Sequence, residues 1–222
     1  MDKKEKELRE QICDIGKNLF NKDFVAANDG NISARLSGSE ILATPTATSK
    51  GYLTPESIVK LDLDGNIIEA QEGVKPSSEV KMHLRCYKEM EECNGVVHAH
   101  PPYATGFAIK GEVLDKATMP EVVIAMPEIP LAEYGCPSTE EIPDSVEPYF
   151  GKYEAVLLEN HGALSWGDTL MNAYLNMERL EYIAKLTFIT RSIGGERELP
   201  ENRVDELVAL RPKYGKWGKN VK

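Results

Sequence analysis

Three of the four histidines in this chain stand where imidazoles could grip one metal ion. His98 and His100 belong to Gly95-Val96-Val97-His98-Ala99-His100, a run halted by Pro101-Pro102. Val96 and Val97 favour a strand, and alternation along it points both imidazoles to one face. His161 ends a second apolar run, Val156-Leu157-Leu158-Glu159-Asn160-His161-Gly162. Three imidazoles with a fourth position open is the ligand pattern of catalytic rather than structural zinc. His-x-His alone is a weak signal, so the reading depends on all three. Imidazole ligands favour zinc over the oxygen-seeking magnesium and calcium, with manganese or cobalt as substitutes.

Pro76-Ser77-Ser78-Glu79 reads as a helix entrance. Ser77 or Ser78 caps it, and Glu79 falls in the first turn, where the helix dipole favours an anion. Val80, Leu84 and Tyr87 follow at helical spacing and mark the buried face. Two hydroxyls and free backbone N–H groups at a helix start also form a phosphate cradle. His83, one turn beyond Glu79, reads as a helix residue satisfied by packing or local hydrogen bonds.

These groups need elements to position them. Leu8, Ile12, Ile15, Leu19 and Phe20 predict an opening amphipathic helix. Asn28-Asp29-Gly30 is a turn, and Ile32, Ala34 and Leu36 alternate with polar residues as in a half-buried strand. Ile41 to Thr44 is its hairpin partner after Ser37-Gly38-Ser39. Thr54-Pro55-Glu56 starts a helix with proline in first position. Val59, Leu61 and Leu63 form a strand closed by Asp64-Gly65. A further strand is expected over Val122 to Ala125, and a helix from Thr139 onward. Strands flank His161, and Gly167-Asp168 caps a long helix whose stripe runs Leu170, Ala173, Tyr174, Met177, Leu180, Ile183, Ala184 and Phe188. Val204, Leu207 and Leu210 mark a last helix. The expected fold is α/β: one domain over residues 1–222 with a central, largely antiparallel sheet flanked by helices.

The 222 residues suit one sizeable domain, and 41% hydrophobic content excludes disorder as the main reading. The charged N-terminus shows no signal peptide and no apolar run has transmembrane length, so the cytoplasm is the expected location, with no membrane partner. A net charge of −10 argues against nucleic acid as a partner. An anionic substrate must therefore be held by a local site. Cys13, Cys86, Cys93 and Cys136 lack the pattern of a disulfide scaffold.

Five motifs in order, Asn28-Asp29-Gly30-Asn31-Ile32-Ser33, Thr44-Pro45-Thr46, Pro76-Ser77-Ser78-Glu79, His98-Ala99-His100 and Asn160-His161-Gly162, resemble the class II aldolase/adducin family over nearly the whole chain. The resemblance implies one Zn2+ per subunit on His98, His100 and His161, with Glu79 as the catalytic acid–base. It implies that Gly30, Asn31, Thr46, Ser77 and Ser78 bind the substrate phosphate. It also implies a homotetramer with active sites between subunits, where Tyr214 matches a C-terminal tyrosine that closes a neighbour's site.

The implied activity is cleavage of a ketose 1-phosphate to dihydroxyacetone phosphate and a short aldehyde such as L-lactaldehyde. L-fuculose 1-phosphate is the first-choice substrate and a 5-deoxypentulose 1-phosphate the second. The L-ribulose-5-phosphate 4-epimerase branch resembles this chain less, because it has aspartate where Glu79 stands. Dehydratase and decarboxylase branches share the glutamate. An adducin-like interaction module would keep the fold and lose the ligands, which are intact here. Two departures stand out. Met119 to Ile124 holds no tyrosine where the family's fuculose-phosphate enzymes carry a catalytic one, and the Thr-Gly phosphate loop reads Thr46-Ala47. Lys50, in the same loop, reads as a solvated surface group.

Overall fold

The computed structural model describes residues 2–214. Helix α1 (Lys3–Asn21) is capped by Asp2, whose carboxylate accepts the Glu5 N–H. The strands β1 (Asn31–Arg35), β2 (Glu40–Ala43), β3 (Val59–Asp62) and β4 (Ile67–Glu69) follow, and then α2 (Val80–Glu89) and β5 (Gly95–Ala99). After them come α3 (Pro102–Lys110), α4 (Pro120–Ala125), β6 (Leu131–Ala132), α5 (Glu141–Val146), the hairpin β7 (Ala155–Leu158) and β8 (Gly162–Gly167), α6 (Leu170–Ser192) and α7 (Glu201–Leu210). The strands form one sheet in the order β4-β3-β2-β1-β5-β8-β7-β6, antiparallel except for the β6–β7 pair. This is the expected α/β fold with a largely antiparallel sheet.

Strand alternation divides the core in two. Ile32, Ala34, Val97, Ala99, Leu157 and Ala163 pack with α1, α3 and α6 on one side. Val96, Val156, Leu158 and Leu164 pack with α2 and α5 on the other. His98 shares the parity of Val96, so it faces the α2 side. Cys86 and Cys93 are buried on that side, and all four cysteines are free thiols.

Several local expectations change. Val122 to Ala125 is not a strand but part of α4: Pro120 presets the first turn, and the Val122 and Val123 N–H groups both bond to the Met119 carbonyl. Arg211 then caps this helix from outside by donating to the carbonyls of Val123 and Ile124. Thr54-Pro55-Glu56 makes a single 3-10 turn, Pro55–Ser57, before β3 begins. Thr169, rather than Gly167-Asp168, caps α6 through the Asn172 N–H. Phe188 leaves the buried stripe and is 54% exposed, stacked near Tyr103.

Gly95 opens β5 against the start of α6, and a Cβ there would land on the backbone of Leu170. Gly95→Ala is expected to cost roughly 1–3 kcal/mol. For a chain of this size that lowers Tm by about 2–4 °C per kcal/mol. Gly106→Ala, on a helix face with open space, should hold or raise Tm in the same calorimetric comparison. Equal losses at the two glycines would refute the close approach as the cause.

Candidate metal centre

Three strands bring the centre together. Asn31 of β1 is paired with His98 of β5, and His98 with Leu164 of β8. His161 sits in the turn of the β7–β8 hairpin, where Asn160 takes a left-handed φ of +54°. The next residue must be small: a Cβ on Gly162 would stand 2.6 Å from both the Ala99 carbonyl oxygen and Cδ2 of His100. Those contacts let the hairpin tip lie against the end of β5. The ligating nitrogens of His98, His100 and His161 consequently lie within 4.8 Å of one another.

Nδ1 of the fully buried His98 donates to the Ala163 carbonyl at 2.9 Å, which leaves its Nε2 as a lone pair. That Nε2 is 3.1 Å from Nε2 of His100 and 3.5 Å from Oε2 of Glu79. Nε2 of His161 lies 3.2 Å from Oε1 of Glu79. A lone pair, two further imidazole nitrogens and a carboxylate converging in a largely buried pocket suit a cation between them. Zinc–nitrogen bonds of about 2.0–2.1 Å put neighbouring ligand nitrogens about 3.3 Å apart in a tetrahedron, close to the His98–His100 spacing. The donor set fits a dication.

The electrostatics agree. Burial raises the Glu79 carboxyl, but the imidazoles of His98, His161 and His100 outweigh it and hold the group at about 2. Burial pushes His98 well below its ordinary value and lowers His100 as well, with His161 adding to the shift. An anionic carboxylate and neutral imidazoles are the protonation states that metal ligation needs. Asp29 stands 3.7 Å from Nδ1 of His100 on its outer side.

The face expected to hold the phosphate is built from crossing loops. Pro45 bridges Pro76, the Ser77 N–H bonds to the Thr44 carbonyl, and the Thr46 N–H to that of Lys75. Nδ2 of Asn31 donates at 3.2 Å to both Ser77 Oγ and Glu79 Oε2, while its Oδ1 is buried without a partner among the described residues. Gly30 takes φ +74°, and a Cβ there would lie 2.8 Å from the His98 carbonyl oxygen. Ser78 turns to Ser138, whose hydroxyl donates to it at 2.9 Å. Asn31, Ser77 and Glu79 are thus joined by hydrogen bonds, with Gly30 and Thr46 on the adjoining loops. Ala47 keeps a left-handed φ of +55°, the conformation a glycine would adopt freely, at a cost of roughly 1–2 kcal/mol.

Two placements differ from expectation, and a third was missed. Glu79 is the residue before α2 rather than in its first turn, because α2 begins at Val80; Ser77 Oγ instead accepts the Glu79 N–H. Lys50 is 1% exposed, not solvated, and its ammonium donates to the carbonyls of Asn28 and Thr48 at 2.8 Å each. It ties the Asn28 loop to the loop over residues 46–48, and burial lowers it to about 8. Ser138, distant in sequence, gave no local signal. His83 behaves as a packed helix residue, with Nδ1 bonded to Ser33 Oγ, which also meets the Tyr87 hydroxyl. Tyr214 is 64% exposed in a 3-10 turn after α7 and has no hydrogen bond to the centre.

Residues 10–188 match the class II aldolase and adducin N-terminal domain, and the chain belongs to that family of enzymes. A 3-oxo-tetronate 4-phosphate decarboxylase of Escherichia coli O6:H1 is 35% identical over 94% of this chain and 97% of its own. A 5-deoxy-D-ribulose 1-phosphate aldolase of Bacillus thuringiensis serovar kurstaki is 33% identical over 93% and 96%. The structure of an L-fuculose 1-phosphate aldolase superposes with a TM-score of 0.84 at 28% identity, covering 94% of this chain and 96% of the other.

Two outcomes follow. Equilibrium dialysis should find one dication per chain, and His98→Ala should weaken it at least about 100-fold; unchanged affinity would exclude His98 as a ligand. Burial holds the His83 pKa at about 3, below an unfolded value of about 6.5. Its contribution is intact above pH 6.5 and is lost as pH falls towards 3, by up to about 1.4 kcal/mol per unit. Urea unfolding of metal-stripped His83→Gln should therefore show a shallower acid limb than the parent. An identical slope would count against this origin.

Proposed function

We propose that the chain decarboxylates a 3-oxo-tetronate 4-phosphate to dihydroxyacetone phosphate and carbon dioxide. In such a substrate the ketone C3 lies between the phosphate-bearing C4 and the hydroxyl-bearing C2. When the C1–C2 bond breaks, its electron pair moves to C2 and C3 as an enediolate, and C1 leaves as carbon dioxide. One proton added at C2 completes dihydroxyacetone phosphate. A dication held by His98, His100 and His161 supplies Lewis acidity for this charge, with zinc favoured by the three imidazoles and manganese or cobalt as substitutes.

The chain's own residues do the rest. Asn31, Ser77 and the loops carrying Gly30, Thr46 and Ser78 hold the phosphate and fix C2 near Glu79. The buried ammonium of Lys50 supplies positive charge behind those loops. Away from the imidazoles Glu79 regains its ordinary affinity for a proton, takes one from solvent water and delivers it to C2, returning as the carboxylate.

The observation that carries this choice is the number of proton carriers. Among the described residues, Glu79 lies between the imidazoles, within ion-pair distance of His98 and His161, Asp29 stands only on the outer side of His100, and no tyrosine hydroxyl is bonded to the centre. Decarboxylation needs one proton delivered. Retro-aldol cleavage also needs a proton removed from the hydroxyl that becomes the aldehyde. The 35% identity to a decarboxylase supports the same choice.

Cleavage of L-fuculose 1-phosphate or a 5-deoxypentulose 1-phosphate is the second reading, favoured by the likeness to the two aldolases. It forms the same enediolate, and it would draw its second proton carrier from Tyr214 of a neighbouring copy in a homotetramer.

The test is release of dihydroxyacetone phosphate from each substrate by metal-replete protein. Stoichiometric carbon dioxide from the 3-oxo acid, well above its spontaneous rate, is expected, with Tyr214→Phe leaving that rate intact. Release from the ketose phosphate alone, lost in Tyr214→Phe, would replace the proposal with the aldol reaction. Glu79→Gln should retain metal and lose about 10²–10⁴-fold in kcat; full turnover would remove Glu79 from the mechanism.

A further inference from the structure

Helix α3 starts immediately after the metal-facing His100, and its first turn has an unusual cap. Pro101 occupies the cap position and has no side chain that can accept a hydrogen bond. Pro102 has no N–H, and the Thr105 N–H is taken by the Pro101 carbonyl at 2.8 Å. The two remaining donors are the N–H groups of Tyr103 and Ala104. Both are met by one carboxylate from another element: Glu181 of α6 accepts from Tyr103 at 3.0 Å and from Ala104 at 2.8 Å. Glu181 is only 6% exposed; burial raises its carboxyl, and the N–H groups of Ala104 and Tyr103 oppose that shift more than the charge of Lys185 does. The α3 N-terminus is therefore its main compensation for burial.

Helix α6 packs on β5 and β8, where Ser165 of β8 donates to the Ala173 carbonyl. On its other side, the His100 N–H bonds to the Phe24 carbonyl at 2.9 Å. His100 thus lies between one backbone anchor and a helix start that Glu181 holds in place. We propose that Glu181 is a positioning residue for the metal centre, setting the place of the His100 imidazole through the first turn of α3. This rests on the reading of His98, His100 and His161 as metal ligands.

The experiment compares full-length Glu181→Gln with the parent, well below both unfolding temperatures. Zinc affinity is read by competition with a chromophoric chelator, and ligand geometry by the visible spectrum of the cobalt-loaded protein. Glutamine offers one acceptor where two donors wait, so zinc affinity should fall about 10–100-fold and the cobalt bands should shift. Adding Pro101→Ser provides a local hydroxyl cap for the same N–H groups and should restore most of both signals.

A lowered Tm with parental zinc affinity and cobalt spectrum would overturn the proposal and leave Glu181 a merely stabilising cap. Loss that Pro101→Ser does not restore would overturn the route through α3. A parent chain that binds neither metal would instead defeat the underlying reading of the histidines.

Discussion

Three imidazole nitrogens and a carboxylate face one another across a few ångströms in a largely buried pocket, an arrangement that suits a cation. Each donor is held in place by an interaction of its own. His98 is locked as a lone-pair donor by the Ala163 carbonyl, Glu79 is tethered by Asn31, and His161 is brought in by a hairpin whose next residue must be glycine. A cation placed between them would be shared by all four donors, and removing any tether would leave it badly held.

The same architecture joins the histidine cluster to the proposed phosphate site with little extra material. Asn31 is paired in register with His98 and hydrogen-bonds to both Ser77 and Glu79. One side chain therefore spans the histidine cluster and the serine loop at which we propose the phosphate binds. Lys50 stitches the loops behind it from a buried position, which a net-acidic chain needs if it is to hold an anion locally. Decarboxylation and aldol cleavage can share this frame because both pass through the enediolate of dihydroxyacetone phosphate. What separates them is the proton carrier at the departing group, so substrate choice is decided outside the metal-binding residues.

Much of this is legible in the order and type of the residues. The periodicity of Ile12, Ile15 and Leu19 marks α1, the alternation around Ile32 and Val97 marks central strands, and the His-x-His and Asn-His-Gly motifs mark the three histidines that cluster. Local patterns record such features because burial and strand alternation act on neighbouring residues. The failures share one cause. Val122 to Ile124 carry β-branched residues that suggest a strand, yet proline at the start of the segment and Arg211 from far along the chain make it helical. Lys50 looks like surface by residue type, and only two carbonyls, on separate loops, make it buried.

By itself, then, the sequence determined which side chains are present for chemistry, the face on which each strand presents them, and the family to which the chain belongs. Those properties depend on residue type and short-range period. The tertiary structure alone decided that Glu79 meets His98 and His161, that Ser138 reaches Ser78 and that Glu181 closes α3 behind His100. Each of these joins residues far apart in the chain. Such contacts are set by sheet register and helix packing, which no local pattern encodes.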